Sequence, residues 1–476
     1  IGDSVDGFGF SVDSSIDYAV VGAPETESLR GAVFTYYIDG LGTFSRRPSL
    51  RPTGLSDGHR FGHSVAMSRN GRHLFASAPG ATGGVVYAYT LIEINDSNKF
   101  VKTVTGDASA TAFALGFTPL SIQALNVTDE NGKVYLPTKD FTISGTNITF
   151  TATPANGLDI VIRQEDYFAE ISILKGHDVL ASDNFGWDID CDYDGRNIII
   201  GTPDADVANT DSTVLTSAGE VYIFAQTVER FIGGGSTKAF TTQDTLQTKI
   251  YVEVDGVLQT ETNNPDIPTD NDGSSDGFYT RATNTITLKY VPASGAKIVV
   301  YTGSFREKQK IDQNISGQAP TQNEQFGLSV AIDSKGTMVA IGSPGEDETN
   351  PNTGSVFIFQ DAGKNYSSIT TSTSVTTVAA DSIYVDDYRI ALTGTNAAGL
   401  VTDITNAKIP GVTAATNSAG AVVITTTNTE SLNKLTLNPG VGQAFERNAV
   451  IQPFSFVQKI NHPQACENEN FGNKVA

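Results

Sequence analysis

The chain has 476 residues, and its 31 lysines and arginines are outnumbered by 53 aspartates and glutamates, so its formal net charge is −22. A surface this acidic excludes broad binding to the phosphate backbone of nucleic acids, which requires basic side chains. The 46 glycines and the runs of Val, Ile, Thr, Tyr and Phe predict strands joined by turns, and no apolar stretch approaches the length of a membrane span.

A set of short motifs recurs along the chain in a fixed order. Phe-Gly occurs five times, and each of the first four copies is followed by Gly-Ala-Pro, Ser-Ala-Pro, Gly-Thr-Pro or Gly-Ser-Pro, 13 residues later in the first copy and 15 in the others. Each of these copies then closes on an apolar segment that begins with glycine. The Phe-Gly pairs begin at Phe8, Phe61, Phe185, Phe326 and Phe471, and the closing segments begin at Gly31, Gly84, Gly219 and Gly354.

Each copy predicts two strands joined by a tight turn. In the second copy, residues 64–67 alternate as a half-buried strand does, Asn70-Gly71 favours a turn, and residues 74–76 form a buried run that Pro79 ends. The pattern resembles the FG-GAP repeat, which is the blade unit of integrin-α-type β-propellers. That resemblance implies a four-stranded blade in which the Phe of each Phe-Gly pair fills the core between blades.

The spacing between copies shows that the repeat is interrupted. Successive Phe-Gly pairs lie 53, 124, 141 and 145 residues apart, so only the first interval suits a bare blade. The excess always follows the closing strand, and the last strand of the blade resumes late, at Phe168, Gln309 and Gln458. In the bare copy, Asp39-Gly40 closes the same hairpin. We therefore predict three modules inserted into one outer hairpin of three successive blades, where the chain ends are already adjacent.

The predicted fold is mainly β, a β-propeller of FG-GAP-like four-stranded blades that carries three inserted small β domains, one of which has features of an α+β domain. Because propellers of this kind have more blades, we expect this chain to be a piece of a longer protein, with the other blades coming from elsewhere in it or from another subunit. The predicted domains are blades 1 and 2 (1–92), module A (93–165), blade 3 (166–228), module B (229–303), blade 4 (304–362), module C (363–452) and the start of a further blade (453–476).

Modules A and B resemble each other and the small β-sandwich modules of bacteriophage tail-fibre proteins. Thr-Asn-Ile-Thr-Phe at 146–150 matches Thr-Asn-Thr-Ile-Thr-Leu at 283–288, and both are followed by a Pro-Ala-x-Gly turn. Lys-Asp-Phe-Thr-Ile-Ser-Gly at 139–145 fits the middle element of such modules, whereas module B has a polar loop there, at 263–277. Module C is Ser/Thr-rich at 368–378, favours a short helix at 397–407, and weakly resembles a flagellin-type motif of surface filaments.

The sharpest candidate site is the run Asp190-Cys191-Asp192-Tyr193-Asp194-Gly195. Three alternating carboxylates in a tight loop suit Ca²⁺, which prefers oxygen ligands. Integrin-type FG-GAP repeats carry such loops at this position, so the resemblance implies calcium ligands at Asp190, Asp192 and Asp194, although Ile198 stands where the family has a further acidic residue. The alternative is ordinary hairpin chemistry, because Asp and Gly both suit the backbone of a turn.

Nothing in the chain favours catalysis. The phosphate-binding Gly-x-x-x-x-Gly-Lys and the zinc-binding His-Glu-x-x-His are absent. The one Gly-x-Ser-x-Gly, at 273–277, lies in a polar acidic loop (270–276) instead of the strand-to-helix turn that a nucleophile needs, and Cys191 occupies a core position of the repeat. We predict that the protein is not an enzyme, and an enzyme hidden in a module is the weakest alternative.

Two functions fit these features. The first is a structural or adhesion protein of a bacteriophage particle, in a tail fibre, baseplate or other surface appendage of the virion. The propeller would be the scaffold, and the modules would contact other virion proteins, further copies of the chain, or a host receptor or glycan. The second is a secreted or cell-surface bacterial adhesin with an integrin-like, calcium-binding propeller. For both functions we expect no nucleic-acid partner and no membrane span.

Overall fold

The residues of this chain form two compact units. Unit 1 comprises Ile1–Ala225, Phe305–Gln360 and Ser455–Ala476, and unit 2 comprises Gln226–Ser304 and Asp361–Phe454. A computed structural model describes residues 6–208, 213–242, 246, 250–261, 278–316, 320–346, 353–361, 368–370, 382–385, 388–391, 396–409, 412–418, 420, 422–426, 436–437, 454–461 and 471–475.

Short apolar or alternating segments between turns form the strands of the first half of the chain, as their sequence pattern predicts. One helical turn, α1, spans Thr26–Leu29. The strands are β1 (Ser11–Ser14), β2 (Tyr18–Ala23), β3 (Ala32–Ile38), β4 (Phe44–Arg46), β5 (Val65–Met67), β6 (His73–Ala78), β7 (Val85–Ile92), β8 (Phe100–Thr105), β9 (Ala112–Ala114), β10 (Leu125–Asp129), β11 (Val134–Tyr135), β12 (Phe141–Ser144), β13 (Asn147–Phe150), β14 (Asp159–Gln164), β15 (Tyr167–Leu174), β16 (Ile189–Cys191), β17 (Asn197–Thr202), β18 (Val207–Ala208), β19 (Val214–Leu215) and β20 (Glu220–Ile232).

The second half of the chain continues with strands and one longer helix, α2 (Ala397–Asn406), which confirms the helix predicted there. The side chain of Asn396 caps it by accepting a hydrogen bond from Gly399 N. The strands are β21 (Ala239–Thr241), β22 (Tyr251–Val254), β23 (Val257–Glu261), β24 (Phe278–Ala282), β25 (Thr285–Leu288), β26 (Lys297–Ile311), β27 (Ser329–Ile332), β28 (Met338–Ser343), β29 (Ser355–Asp361), β30 (Ser368–Thr370), β31 (Ser382–Val385), β32 (Tyr388–Ala391), β33 (Val412–Thr416), β34 (Val422–Thr426), β35 (Thr436–Leu437) and β36 (Phe454–Asn461).

The first four Phe-Gly copies correspond to three four-stranded sheets and to four strands of a larger sheet, which we call repeat sheets 1 to 4. Repeat sheet 3 is the one that belongs to the larger sheet. Their strand orders are β1-β2-β3-β4, β5-β6-β7-β15, β16-β17-β20-β26 and β27-β28-β29-β36. The second strands end directly before the proline of each Gly-x-Pro or Ser-Ala-Pro motif, at Ala23, Ala78, Thr202 and Ser343. In repeat sheets 2 to 4 the inserted residues therefore leave the sheet between its third and fourth strands. The prediction of a mainly β fold is confirmed.

Consecutive repeat sheets meet through one backbone contact, which we call the Phe-Gly joint. The amide of each Phe donates to the carbonyl that precedes the first glycine of the previous closing strand. The four hydrogen bonds run from Phe61 N to Arg30 O (2.9 Å), from Phe185 N to Gly83 O (2.9 Å), from Phe326 N to Ala218 O (2.9 Å) and from Phe471 N to Thr353 O (3.1 Å). Each repeat sheet is thereby tied to the next Phe-Gly copy along the chain.

The glycine on the acceptor side of each joint is required by close backbone packing. At Gly84, φ is +90° and an added Cβ would lie 2.0 Å from the carbonyl oxygen of Phe185. At Gly219, φ is also +90° and the Cβ would lie 2.2 Å from the carbonyl oxygen of Phe326. Only glycine combines this left-handed backbone with the absence of a side chain.

The Phe side chains of the joints fill the cores between repeat sheets, as the sequence predicts. Phe61, Phe185 and Phe326 are each 0% exposed. Between repeat sheets 1 and 2, Phe61 packs in one cluster with Val20 and Val33 of the first sheet. Aromatic contacts complete the packing of Phe326, whose ring lies 5.3 Å from that of Phe357 in an edge-to-face arrangement.

The segment inserted into repeat sheet 2 is a small β-sandwich. Its two sheets have the orders β11-β10-β14-β8 and β12-β13-β9. Their inner faces enclose a shared core that consists of Val104, Leu115, Leu125, Val127, Tyr135, Phe141, Ile148, Phe150, Ile160 and Ile162. We call this sandwich module A, as in the sequence prediction, and two sheets around one core are the usual solution for such short strands.

Module A is fixed to repeat sheet 1 by three arginines of one segment. The guanidinium of Arg46 bonds the side-chain oxygen of Asn126, whose amide nitrogen donates back to Arg46 O at 2.9 Å. Arg51 donates to Thr138 Oγ1 at 3.1 Å, and Arg47 lies 3.4 Å from a carboxylate oxygen of Glu165. These contacts couple module A to the sheet before its own, although it is inserted in repeat sheet 2.

Unit 2 contains the remaining inserted residues. Its strands follow the order β21-β25-β24-β23-β22-β26-β20-β32-β31-β35, and a second sheet has the order β30-β34-β33. One core there includes Phe240, Val252, Ile286 and Ile298. A second core packs Leu400 and Ile404 of α2 against Ile390, Ile409, Val422 and Ile424. Among the described residues, no helix is long and apolar enough to cross a membrane.

Candidate functional site

The predicted calcium loop forms the tight hairpin between β16 and β17. Gly195 has φ +69°, and its amide donates to Asp192 O at 3.0 Å. The amide of Asp192 donates to Asn197 O at 3.0 Å and closes the turn. The loop thus has the backbone that the Asp-Gly sequence favours.

Asp192 uses both of its carboxylate oxygens within this hairpin. Oδ1 accepts from Arg196 N at 2.7 Å, and Oδ2 accepts from Asn197 Nδ2 at 2.6 Å. The side chain is buried. Its contacts are those of an aspartate that stabilises a turn by accepting local hydrogen bonds.

Asp190 lies in the strand before the turn and reaches the next repeat sheet. Oδ2 accepts from Ile332 N of β27 at 2.8 Å, and Oδ1 accepts from Cys191 N at 2.8 Å. Two residues earlier, Asp188 Oδ2 accepts from Val330 N at 2.9 Å. These carboxylates satisfy amides at the edge of β27 that its own sheet leaves unpaired, and they link repeat sheets 3 and 4.

A carboxylate–amide hydrogen bond of the same kind links repeat sheets 1 and 2. Asp13 Oδ2 accepts from Met67 N at 2.7 Å, across the first strands of these two sheets. We call Asp13, Asp188 and Asp190 the inter-sheet carboxylates. This role was not predicted from the sequence, because an aspartate on a strand does not reveal which distant amide it meets. The signal that was present is Asp188-Ile189-Asp190 at the start of β16, where apolar alternation is expected.

Asp194 points to a third set of partners. Its Oδ1 accepts from Asn70 Nδ2 of repeat sheet 2 at 3.0 Å, and its Oδ2 lies 3.9 Å from Arg196 Nε. The three predicted ligands are thus close in sequence but bonded separately. Within the described parts of the chain, no three side chains of His, Cys, Asp or Glu form a group that could hold a metal ion. The calcium site stays a prediction, and the hydrogen bonds favour the turn interpretation.

Burial makes the charged form of these carboxylates unfavourable. It raises the pKa of Asp190 to about 6, against the lowering effect of the Ile332 and Cys191 amides, and the charges of Asp13 and Asp188 add to the rise. Burial also raises the pKa of Asp188 and of Asp192. For these three carboxyl groups, burial therefore raises the pKa by more than hydrogen bonding lowers it.

A pH titration of stability tests the burial of Asp190. Because its pKa is higher in the folded state than the ordinary 3.8, the folded chain binds a proton more tightly, and stability falls as pH rises from about 4 through about 6. We expect wild type to lose up to about 3 kcal/mol more than Asp190→Asn over this range, measured by urea unfolding. Parallel curves for the two proteins would show that Asp190 is solvated.

A calcium titration tests the predicted metal site. Since Asp190 and Asp192 each accept two hydrogen bonds, we expect calcium chloride, compared with EDTA, to leave the melting temperature unchanged. A rise that grows with calcium concentration in wild type and vanishes in Asp192→Asn would establish the calcium site.

Cys191 and His63, two further residues with potentially reactive side chains, have structural surroundings. Cys191 is half-buried against the core between repeat sheets 2 and 3, and burial raises the pKa of its thiol. Such a thiol is a poor nucleophile. His63 Nδ1 lies 3.0 Å from Trp187 O, and burial lowers the pKa of the imidazole to about 4. The acidic loop 270–276 and the Gly-x-Ser-x-Gly at 273–277 lie outside the described residues.

Comparison with known proteins identifies one of the repeats. No curated protein matches the chain. Residues 316–359, which contain the Phe326-Gly327 copy, the first two strands of repeat sheet 4 and most of the third, match the FG-GAP repeat. The chain therefore carries one FG-GAP repeat at this position, which supports the interpretation of the other copies as repeats of the same type.

Proposed function

We propose that the chain is part of a structural or adhesion protein of a bacteriophage particle, in which FG-GAP blades form a propeller scaffold and the inserted modules make the contacts. The partners would be other virion proteins, further copies of the chain, or a receptor or glycan of the host. We place the binding function on the modules, because the carboxylates of Asp190 and Asp194 already form hydrogen bonds with neighbouring repeat sheets of the scaffold.

The packing of the repeat sheets supports the propeller. Every joint uses the same Phe-Gly contact, and Phe471 already makes it with the end of repeat sheet 4. Repeat sheet 1 presents the matching face: Phe8 is 51% exposed and Val12 is 66% exposed, whereas their counterparts Phe61 and Val65 are 0% and 6% exposed. A further blade would bury that face as the first blade buries the second.

The observation that carries the proposal is the common insertion point. In repeat sheets 2, 3 and 4 alike, the chain leaves after the third strand and returns as the fourth. A hairpin tip accepts a module without disturbing the sheet, so repeated use of this position fits a scaffold that displays modules. An enzyme would instead be expected to bring polar groups together in one cleft.

Module A exposes apolar surface that suits a protein partner. The rings of Phe100 and Phe117 stack at 4.6 Å with an angle of 13° between their planes. Phe100 is 37% exposed, its neighbour Val101 on the edge strand β8 is 69% exposed, and Leu120 is 52% exposed. Exposed aromatic and aliphatic side chains of this kind are typical of contact sites. Together with the resemblance of modules A and B to tail-fibre modules, this favours a virion component.

Mass spectrometry of purified phage particles tests the proposal. We expect peptides of this chain at a stoichiometry typical of structural proteins, and we expect Val101→Asp to reduce its incorporation or the adsorption of the particle to its host. Asn156→Asp, at the exposed Pro-Ala-Asn-Gly turn of the same module, is the matched control. Absence of the chain from purified particles rejects the proposal.

The second candidate is a secreted or cell-surface bacterial adhesin. The Asp190–Gly195 loop favours it, because integrin-type repeats that act in adhesion carry such loops. Calcium-dependent stability, together with recovery of the protein from bacterial surfaces without particles, would support this alternative.

A further inference from the structure

A buried ion pair connects the last strand of repeat sheet 4 to the loop that follows its second strand. Lys459 lies on β36, and its Nζ is 2.5 Å from Oε1 of Glu346. The two side chains are 10% and 8% exposed. Lysine and glutamate side chains are rarely so buried unless they are paired, so this contact is what allows both groups to lie away from water.

The surroundings of the pair are apolar on one side. Lys459 Nζ lies 5.4 Å from the ring centroid of Phe357, which is 0% exposed. That ring packs against Phe326 of the Phe-Gly joint and against Phe456 of the same strand as the lysine. Water therefore has little access to the ammonium–carboxylate contact.

A second buried carboxyl group stands beside the pair. Glu324 is 1% exposed, and its Oε1 accepts from the amide and the hydroxyl of Thr321 at 2.8 and 2.7 Å. Its Oε2 is buried and has no hydrogen-bond partner among the described residues. Burial, and then the charge of Glu346, raise the pKa of Glu324 to about 7. Near pH 7 about half of the Glu324 side chains therefore hold a proton.

This arrangement has the elements of an amide-forming reaction. In apolar surroundings an ammonium–carboxylate pair moves towards the neutral amine and acid, because burial disfavours both charges. A neutral lysine amine is a good nucleophile, and its carbonyl target is held in contact with it by the fold. Such positioning replaces an improbable bimolecular encounter with an intramolecular step.

We propose that Lys459 and Glu346 condense spontaneously into an isopeptide bond that closes the fourth strand of repeat sheet 4 onto its second-strand loop. Lys459 Nζ attacks Cδ of Glu346, and one C–O bond of the carboxyl group breaks. The oxygen leaves as water with two protons of the ammonium, so the reaction needs no oxidant and no cofactor. Glu324 is the positioning residue: its carboxyl group can pass a proton to the neighbouring carboxylate of Glu346, which lowers the charge of the pocket and which a glutamine cannot do.

Repeat sheet 3 contains a natural comparison. Lys310 occupies the same place in its Gln-Lys-Ile triplet as Lys459 does, but it is 28% exposed. Its Nζ lies 2.8 Å from a carboxylate oxygen of Asp178 and 2.8 Å from one of Glu220. The hydroxyl oxygen of Tyr222 lies within hydrogen-bond distance of the same two carboxylates, at 2.6 and 2.8 Å. These partners raise the pKa of Lys310, so this lysine stays charged and does not condense.

The intact mass of the purified wild-type chain under denaturing conditions tests the proposal. We expect most chains to be lighter than the sequence mass by one water molecule. Because an Asp-Gly succinimide loses the same mass, the deciding result is a peptide map. Trypsin should no longer cut after Lys459, and residues 336–364 should appear joined to residues 448–474.

Three variants identify the groups involved. Lys459→Arg keeps the ion pair and should restore the full mass, whereas the matched control Lys310→Arg should leave the joined peptide in place. Glu324→Gln keeps the size of the side chain and should slow formation of the joined peptide by about tenfold or more, followed by mass spectrometry during cell-free synthesis at several pH values.

Full sequence mass and cleavage after Lys459 in folded wild type overturn the proposal and leave an ordinary buried ion pair. Formation at the wild-type rate, with an unchanged pH profile, in Glu324→Gln overturns the role of Glu324. Both results are independent of whether the chain belongs to a phage particle.

Discussion

Replacing Phe326 with alanine should lower the free energy of unfolding by about 3–5 kcal/mol, the range measured for large-to-small changes at fully buried aromatic positions. Phe326 is 0% exposed, and its ring contacts those of Phe357 and Phe359, whose centroids lie 5.3 and 6.3 Å away. The truncation leaves a cavity at the joint between repeat sheets 3 and 4, which the backbone contacts on either side prevent from collapsing. Urea unfolding, followed by far-ultraviolet circular dichroism, measures the change.

Phe8→Ala is the matched control for this experiment. Phe8 is the equivalent residue of repeat sheet 1, but it is 51% exposed and has a ring contact with Phe34 at 5.4 Å. We expect its truncation to cost no more than about 1 kcal/mol, because little apolar area leaves the core. If Phe326→Ala changes stability by less than about 0.5 kcal/mol, the Phe of the Phe-Gly pair does not serve as a core residue.

Gly84→Ala should destabilise the chain by about 2–5 kcal/mol, because two costs add. The residue would keep φ near +90°, which side chains disfavour, and its Cβ would lie 2.0 Å from the carbonyl oxygen of Phe185 and 2.7 Å from its nitrogen. Both contacts are with backbone atoms, so the joint between repeat sheets 2 and 3 must open to admit the methyl group. The measurement is again chemical unfolding of the purified chain.

Gly9→Ala separates the two costs. Gly9 also has φ +90°, but no described atom lies within 4 Å of an added Cβ. Its substitution should therefore cost only the left-handed backbone term, about 1–2 kcal/mol. If both variants lose the same free energy of unfolding, the packing of Gly84 against the next Phe-Gly copy contributes nothing to stability.

Much of the fold could be predicted because it depends on local patterns. Gly-Thr-Pro ends β17 because proline cannot continue the ladder, and Asp39-Gly40 opens the hairpin between β3 and β4. The late strand at Phe168 is β15, and it pairs with β7 across the inserted residues. The strand assignments rest on several copies instead of one segment, because the same spacing recurs from copy to copy and a wrong assignment in one copy would break it.

The contacts between elements could not be predicted in the same way. Arg46 and Arg51 lie in an ordinary polar segment, and nothing local indicates that they hold Asn126 and Thr138 of module A. Ion pairs across more than a hundred residues, such as Lys459 with Glu346, depend on how the sheets pack. Sequence periodicity fixes which face of a strand is buried but not which distant partner meets it.

The candidate site illustrates the same limit. Asp190, Asp192 and Asp194 look alike in sequence, yet the fold directs them to Ile332, to the turn itself and to Asn70. Their shared spacing predicted a common ligand, whereas their strand positions separate them. A site made of neighbouring residues at the end of one strand is easy to propose from the sequence. The sequence does not show, however, that each of these residues bonds a different partner on a neighbouring sheet or in the turn.

Hydrogen exchange at the Phe amides of the Phe-Gly pairs tests most directly whether the repeat sheets are packed as described. The amides of Phe61, Phe185, Phe326 and Phe471 donate across the joints at 2.9, 2.9, 2.9 and 3.1 Å. We expect these amides to be protected to a degree comparable with the central strands of the sheets. Exchange at the rate of exposed loops at these positions would contradict the packing of each repeat sheet on the next.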